Sequence, residues 1–583
     1  MKKYKIYLAG AVLATLASCA SDVLDKKNLE AIDNSVVWGE PKAAYGYLNN
    51  IYASMMPGNY YGTGNGTDEG VPYQKQTNNW LKGVITFDDF RGANPFGGYG
   101  NIRTINQIIA QLQTATFDQK NKDYMKGQCL FFRAWGYHGM VKNVGGVPLI
   151  LEFQKPTSNL DELQAPRNKT SECVRQIIKD LDDAIALLPD SWTGEELGRI
   201  DKGAAMAFKG RVMLFYASPL FRGANGAVTW QSAYEANKAA RDFLVSKGKG
   251  LYTPYSKIWD DELNKEFVMF RRYSYPQARY FQGGLIPLDF SQGDVGYDRP
   301  SLELVNAFPM KDGSAWNPSA MNYGQLFMNR DERFYANIYY NGAPNQYLKG
   351  MRDKNTYLWT YFDAELKDSK SGITGSHNSV TADPLWSNSS FYRIKSIDKT
   401  VDGGNVYNCA VDGIAIRYTE VLMNFGECAN EINHTAEALE VLKAVRQRAG
   451  ITPNADGNYG ITALSQTDIQ EAYKKERFVE FCFEGLRWDD LRRWKMFDYL
   501  RALPQRHGLG IQLKPGQTGA KGNPMADINQ IWDQFTYQVF AQDNGDIKIK
   551  DQYYIWAIPA ETIQRNPKLL QNKDWGGSFD PLQ

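Results

Sequence analysis

The chain has 583 residues, enough for a large core, and a size prior would divide it into several domains unless a repeat array holds it as one body. Lys and Arg number 66 against 65 Asp and Glu, and setting aside Lys2, Lys3 and Lys5 leaves 63 against 65. That near-neutral balance, with no long basic run, gives no electrostatic footing for nucleic acid.

Residues 1–18 read as an address. Lys2, Lys3 and Lys5 form a positive start, and Ile6 to Leu16 is an apolar stretch too short to span a bilayer as a stable helix. It runs into Leu16-Ala17-Ser18-Cys19, which resembles a bacterial lipobox, in which Cys19 is lipidated and becomes the first residue of the mature chain. An ordinary signal peptide with an incidental Cys is the alternative. No later run reaches membrane-spanning length, so the expectation is a body in water held by a lipid. The other cysteines, Cys129, Cys173, Cys409, Cys428 and Cys482, are odd in number with no CxxC spacing, and buried free thiols are expected for most.

Residues 19–40 are expected to be the lipidated terminus and a polar tether, and residues 41–583 a single body. Its first part, 41–265, is helical. Apolar periodicity and a first-turn proline predict a helix from Pro41 to Met55. A long loop over 56–99 follows, rich in Gly, Asn and aromatics; such loops inside compact domains are usually functional or disordered, and the aromatics argue against disorder. Helices are then predicted over Ile102 to Leu112, Tyr124 to Val141, Cys173 to Leu188, Lys202 to Ala217 and Trp230 to Leu244. Their pairing at about one tetratricopeptide length, with Ala204, Ala205 and Ala207 packed together, suggests a degenerate helix-turn-helix solenoid.

The period changes at Glu266, where Glu266 to Phe270 reads as a short strand. Residues 266–413 form a loop-rich, aromatic-rich insertion. Aromatics in long loops can present flat faces to a ligand, although any single one is more often packed beneath its own loop. From 414 to 583 helices return, at Ile414 to Ile432 and Thr435 to Ala449, ahead of Glu476 to Trp494. Glu476, Glu480 and Glu484 lie one turn apart on one helical face, a like-charge ladder for which Arg477, Arg487, Arg492 and Arg493 are the nearest cations in sequence. A buried Glu/Arg lattice is the expected use, and Gly485 is expected to cap the helix.

The pattern Glu476-Arg477, Glu480, Phe483-Glu484-Gly485, Arg487-Trp488, Asp490-Leu491, Arg493-Trp494 resembles the signature of the SusD/RagB family. So do Arg417, Glu420, Asn424, Glu427 and Val445-Arg446 before it, and Ile558-Pro559, Asn566-Pro567 and Leu570-Gln571-Asn572 after it; Ala557 stands where a proline is often found. The resemblance implies a mainly α fold, a tetratricopeptide-like right-handed superhelix with loop-rich insertions and minor strands. It also implies an outer-membrane lipoprotein facing the cell exterior that binds glycans and docks on a SusC-like TonB-dependent transporter.

No HExxH or GxSxG is present, the four histidines lack ligand spacing, and no cofactor or metal is expected. Acidic pairs such as Asp489-Asp490, Asp260-Asp261 and Asp68-Glu69 keep a glycoside hydrolase as the lesser reading, and a peptide-binding helical module is the other. Sugar binding suits the composition better, because a ring's C–H face stacks on aromatics while its hydroxyls need fixed polar partners. Residue type and loop setting nominate Asp68, Trp80 and Tyr99 from the first loop, and Tyr297, Trp316, Trp359, Trp386 and Arg393 from the insertion.

Overall fold

The structure is a computed structural model that describes residues 37–58, 64–72, 78–91, 95–155, 157, 159–221, 226–282, 285, 299–344, 357–367, 374–377, 389–401, 406–462, 464–520 and 526–583. The leader, Cys19 and the tether as far as residue 36 lie outside the described residues, as do Tyr297 and Trp386. Among the described residues no helix is long and apolar enough to cross a membrane.

Among the described residues the helices of seven residues or more are α1 Pro41–Met55, α2 Tyr99–Leu112, α3 Gln119–Val144, α4 Thr170–Leu187, α5 Lys202–Ala217, α6 Trp230–Ser246, α7 Tyr418–Glu431, α8 Thr435–Arg448, α9 Gln466–Glu480 and α10 Arg487–Arg493. Local chemistry sets their starts. Asp118 caps α3 by accepting from the Asn121 N–H, Asp201 caps α5 through the Ala204 N–H, and Thr229 with Ser232 boxes the start of α6.

Consecutive helices from α2 to α6 pack on one another, and α6 then packs on α7, as though residues 247–417 did not intervene. The array is the expected tetratricopeptide-like one. Small residues permit close approach: a Cβ at Gly210 of α5 would fall 2.3 Å from Asn237 Oδ1 of α6, whose amide donates to the Gly210 carbonyl at 3.1 Å. Likewise a Cβ at Gly426 of α7 would lie 1.9 Å from the Tyr473 hydroxyl of α9, which donates to the Ala438 carbonyl of α8.

The predicted helix from Ile414 is corrected by the structure. Gly413–Arg417 is a strand, antiparallel to Phe267–Arg271, and helix begins only at Tyr418. Its β-branched Ile414 and Ile416 suit a pleated partner better than a helical turn. Two strands of the insertion also join two from the C-terminal part in a four-stranded sheet, in the order Phe535–Ala541, His507–Leu513, Phe362–Lys367, Thr374–His377. Around it sits a second core, in which Trp316, Phe334, Tyr339, Trp359, Phe391 and Tyr392 join Phe478, Phe483 and Ile511, apart from the large helical core.

The signature lies where the two cores meet. Helix α9 ends at Glu480 with Phe481 as its cap residue; Phe483 and Gly485 then take left-handed φ of +58° and +77° to turn the chain into α10. Gly485 thus closes a connecting turn instead of capping α9 directly. The glutamate ladder is buried, but its counter-ions come from elsewhere than expected: Glu476 is held by Arg333 and Arg446, Glu480 by Arg333, Arg417 and Arg448, and Glu484 by Arg417 and Lys395. Arg477 turns to Asp490, Arg493 to Asp490 and Glu427, and Arg487 to Asp68; Arg492 serves the Tyr554 and Lys142 carbonyls. Helix geometry explains the exchange, since Arg477 is one residue from Glu476 and points to another face.

Candidate functional site

The structure takes four of the six described ligand nominees out of reach. Asp68 is fully buried and bound bidentately by Arg487 at 2.8 and 2.7 Å, while its carbonyl accepts from Ser301. Arg506 ties down the carbonyls of Asn65, Thr67 and Gly70, so this part of the first loop is a brace for the signature. Trp316 and Trp359 are 6% and 4% exposed and fill the second core; Arg393 is buried with its guanidinium 5.4 Å from the Phe483 ring. These four are corrected from ligand contacts to interior residues. A core can bury such large rings only by closing around them, and the loops that carry them do so.

Trp80 is half-buried among Phe90, Trp488, Tyr553 and Trp556, with ring centroids 5.4 to 5.5 Å apart. Its edges are shared with protein on all these sides. Tyr99 lines a small cavity of about 280 Å³ with Ile102, Arg103 and Gln154, and its hydroxyl donates to the Pro148 carbonyl at 2.5 Å.

Among the described residues the two most exposed aromatics, Tyr275 and Tyr407, lie elsewhere, on a ribbon that sequence reasoning missed. After the strand Phe267–Arg271 the chain turns out and back: Ser274 and Ala278 exchange backbone hydrogen bonds of 2.7 Å, holding Tyr275 and Pro276 at the tip. The return arm pairs with residues 406–409, Tyr280 with Cys409 through bonds of 2.9 and 3.2 Å, and the Gln282 N–H with the Val406 carbonyl. Side chains alternate along such a pair. Gln282 turns inward, fully buried, and exchanges hydrogen bonds with the Asp398 backbone. Phe281 stacks on Tyr407, centroids 4.5 Å apart and planes at 22°, with Tyr407 55% exposed. Arg279 donates to the Asn408 side-chain oxygen at their edge, Tyr275 is 59% exposed, and Tyr273 meets Tyr280 edge-on at 4.9 Å.

The base of the ribbon is anchored by Asp412, which accepts from the Tyr273 N–H and pairs with Arg272 at 2.7 Å. Burial pushes this carboxyl up to about 6 despite those partners. Beside it, Arg271 and Arg272 border a cleft of about 240 Å³ that also takes in Asn49, Tyr52 and Arg199, and the Tyr273 hydroxyl lies 3.0 Å from a Cβ built at Gly58. A flat aromatic pair, a guanidinium and an amide at its rim, and a polar cleft alongside can hold a ring-shaped polar ligand by stacking and hydrogen bonding.

Elsewhere, the acidic pairs considered for hydrolysis are engaged: Asp489 with Lys142, Asp490 with Arg477 and Arg493, Asp260 with Lys257 and Lys399. Among the described residues no cluster of His, Cys, Asp or Glu could hold a metal ion, and the five cysteines are buried free thiols.

A family model described as the SusD family matches residues 258–575, more than half the chain, and one described as starch-binding associating with outer membrane matches residues 31–214. The chain belongs to the SusD family. Among its relatives, SusD-like protein P2 of Formosa agariphila is 23% identical over 523 residues, covering 85% of this chain and 91% of the relative. SusD-like protein P38 of that organism is 21% identical over 393 residues, with 63% and 65% covered. A SusD-like protein of Bacteroides fragilis shares the fold with a TM-score of 0.72 at 23% identity, covering 93% of this chain and 98% of the other. A SusD-like carbohydrate binding protein of the same species does so at 0.68 and 20%, covering 91% and 99%, and a laminarin binding SusD-like protein at 0.55 and 17%, covering 91% and 98%. In SusD-family terms the Glu/Arg signature of this chain is therefore its brace, and the ribbon of Tyr275, Phe281 and Tyr407 lies outside it in sequence.

Proposed function

We propose that this protein is a lipid-anchored glycan-binding protein of the outer membrane, held through Cys19 and facing the cell exterior, that captures oligosaccharide and passes it to a SusC-like TonB-dependent transporter. Sugar stacks on the Phe281–Tyr407 pair and on Tyr275, and Arg279, Asn408 and the neighbouring cleft supply hydrogen bonds to its hydroxyls. Tyr297 and Trp386, which lie outside the described residues, stay candidates by residue type alone, and Tyr99 is a lesser candidate on its separate cavity. Support comes from family membership, from the outer-membrane description of the N-terminal match, and from relatives named for carbohydrate or laminarin binding.

One observation carries the reading: large rings stacked and left in water, at a place where the fold invests a paired ribbon and a buried Gln282 anchor to hold them. The test is a glycan array on the purified protein, followed by Tyr275→Ala and Tyr407→Ala. Loss of about tenfold or more in affinity for the best glycan is expected from removing a stacking face. Unchanged binding in both variants would remove the site, and reducing-end release from the bound polysaccharide would replace the reading with hydrolysis. Radiolabelled palmitate tests the anchor, and co-purification of a TonB-dependent barrel with the membrane-extracted protein tests the delivery step.

A further inference from the structure

The four-stranded sheet ends on one side at Phe535–Ala541, a strand of seven residues. Its pairing with His507–Leu513 keeps one register from end to end, Phe535 opposite Leu513 and Ala541 opposite His507. Just beyond the two ends the Lys514 N–H donates to the Gln534 carbonyl at 2.9 Å and the Gln542 N–H to the Arg506 carbonyl at 2.8 Å. Hydrogen-bonded pairs alternate along an antiparallel ladder, so Thr536, Gln538 and Phe540 turn their backbone groups to the neighbouring strand, and Phe535, Tyr537, Val539 and Ala541 turn theirs outward. The Phe535 N–H is taken by the Trp532 carbonyl. Among the described residues, the backbone groups of Tyr537, Val539 and Ala541 and the Phe535 carbonyl have no partner on that open side.

An open edge of this length is a template for another strand, and proteins ordinarily blunt it with a lysine, a proline or a bulge. Phe-Thr-Tyr-Gln-Val-Phe-Ala has no charge and no proline, and its ladder has no bulge. At the far side of the same sheet the pairing of Phe362–Lys367 with Thr374–His377 is shifted, and a lysine ends it. Val539, at the middle of the open edge, is 38% exposed. The edge carries no charge that could select a foreign strand, but it matches itself when reversed. Centred on Gln538, an antiparallel pair sets Tyr537 against Val539 of the other copy, a ring beside a β-branched side chain, and brings the Ala541 N–H to the Phe535 carbonyl. Asp533, beyond one end, then lies toward the other copy's Arg506–Asp543 pair, which is internally balanced. With 66 cationic and 65 anionic side chains on each chain, two copies meet without long-range repulsion.

We infer that Phe535–Ala541 is a docking edge for a second copy of this protein, the two strands pairing antiparallel about a two-fold axis at Gln538 so that both sheets become one. Sedimentation of the detergent-solubilised full-length protein over a range of concentrations should show the protein mass rising from one chain to two. Gln538→Cys should then give a disulfide-linked dimer on mild oxidation, because a non-hydrogen-bonded pair holds its Cα atoms about 4.5 Å apart, within disulfide reach. Thr536→Cys should not, because its two cysteines would lie about 13 Å or more apart along the strands. The five described native cysteines are buried, and the oxidised wild-type chain is the control for them. Gln538→Lys and Gln538→Glu each set like charges across the axis and should weaken association about fivefold or more at low salt, whereas an equal mixture of the two variants should restore it. Gln538 is exposed, so folding is not at stake, and an unchanged melting temperature checks this. A single-chain mass at every concentration, no linked dimer from Gln538→Cys, equal linking by Thr536→Cys, or a mixture no better than either charged variant alone would overturn the inference.

Discussion

The lattice around Glu480 and the ribbon around Tyr407 draw on the same kinds of side chain, arginines, carboxylates and aromatics, and use them in opposite ways. In the lattice the charges are buried or half-buried and answered by partners from distant segments, so Arg333, Arg417 and Arg448 join the insertion, the strand Gly413–Arg417 and α8 to α9. In the ribbon the rings stack on one another and remain open to water. Residue type alone did not separate these uses; the company each residue keeps did. The lattice fixes where the insertion leaves the helical array, and the ribbon depends on that exit, because its first arm continues the strand paired to Gly413–Arg417.

The largest effects are expected in the interior. Glu480→Ala leaves three guanidinium groups facing a gap, and breaking a buried pair in this manner costs about 3–5 kcal/mol. Trp316→Ala, which empties a filled site of the second core, should cost about 3–5 kcal/mol as well. Urea denaturation of each variant measures both. A Trp316→Ala protein of wild-type stability would mean the ring is not core, and would restore it as a ligand residue.

Acid should loosen the lattice by protonating its carboxylates. Burial alone would push the carboxyls of Glu476, Glu480, Glu484, Asp489 and Asp490 up, but the cations beside them outweigh it and hold all five below the usual carboxylate range. Their folded-state affinity for protons is thus lower than in the unfolded chain, so their contribution is full above the unfolded carboxylate range and is lost as pH falls below about 5. Asp201 and Asp412, pushed up to about 6 by burial, work the other way between about pH 6 and 4, but they are fewer. Melting temperature should therefore drop steeply on the acid side. In Glu480→Gln that acid slope should be shallower. A slope identical to wild type would show that the carboxylate is not depressed by its arginines.

A smaller loss is expected from Gly426→Ala. The added methyl would lie 1.9 Å from the Tyr473 hydroxyl, so α7 and α9 must part or the Tyr473 bond to Ala438 must break, an overpacking cost of about 1–3 kcal/mol. Gly426→Ala combined with Tyr473→Phe should recover part of it, because the clashing oxygen is gone.

How far these differences could be read in the sequence follows from their range. Helices α1 and α5 match their predicted bounds, because a 3.6-residue period, a first-turn proline and an aspartate cap are local signals. The burial of the glutamate ladder was legible too, since three like charges on one face must be answered. Its partners were not: Arg333, Arg417 and Arg448 lie 32 to 147 residues from Glu480, and pairing over that range leaves no trace in spacing. The ligand residues failed for a related reason. Trp316 and Trp359 sit in loop-like sequence, yet their loops close into a second core with the strand pair His507–Leu513 and Phe535–Ala541, which no local pattern announces. Tyr275 and Tyr407 carried a weak signal that was passed over, a Tyr-Ser-Tyr-Pro turn just past a strand and a lone Tyr in Asn405-Val406-Tyr407-Asn408.

The smallest effect on stability is expected where the effect on binding is largest. Tyr407→Ala removes a ring that is more than half exposed and touches chiefly Phe281, so unfolding free energy should change by no more than about 1 kcal/mol, the range of a surface substitution plus one aromatic contact. Set beside Trp316→Ala, the same truncation chemistry then gives opposite readouts: stability lost with the interior ring, glycan affinity lost with the ribbon ring. If Tyr407→Ala instead unfolds the protein as readily as Trp316→Ala, the ribbon is a structural clasp on residues 406–412. The stacked pair would then be explained by packing, with no ligand needed to account for it.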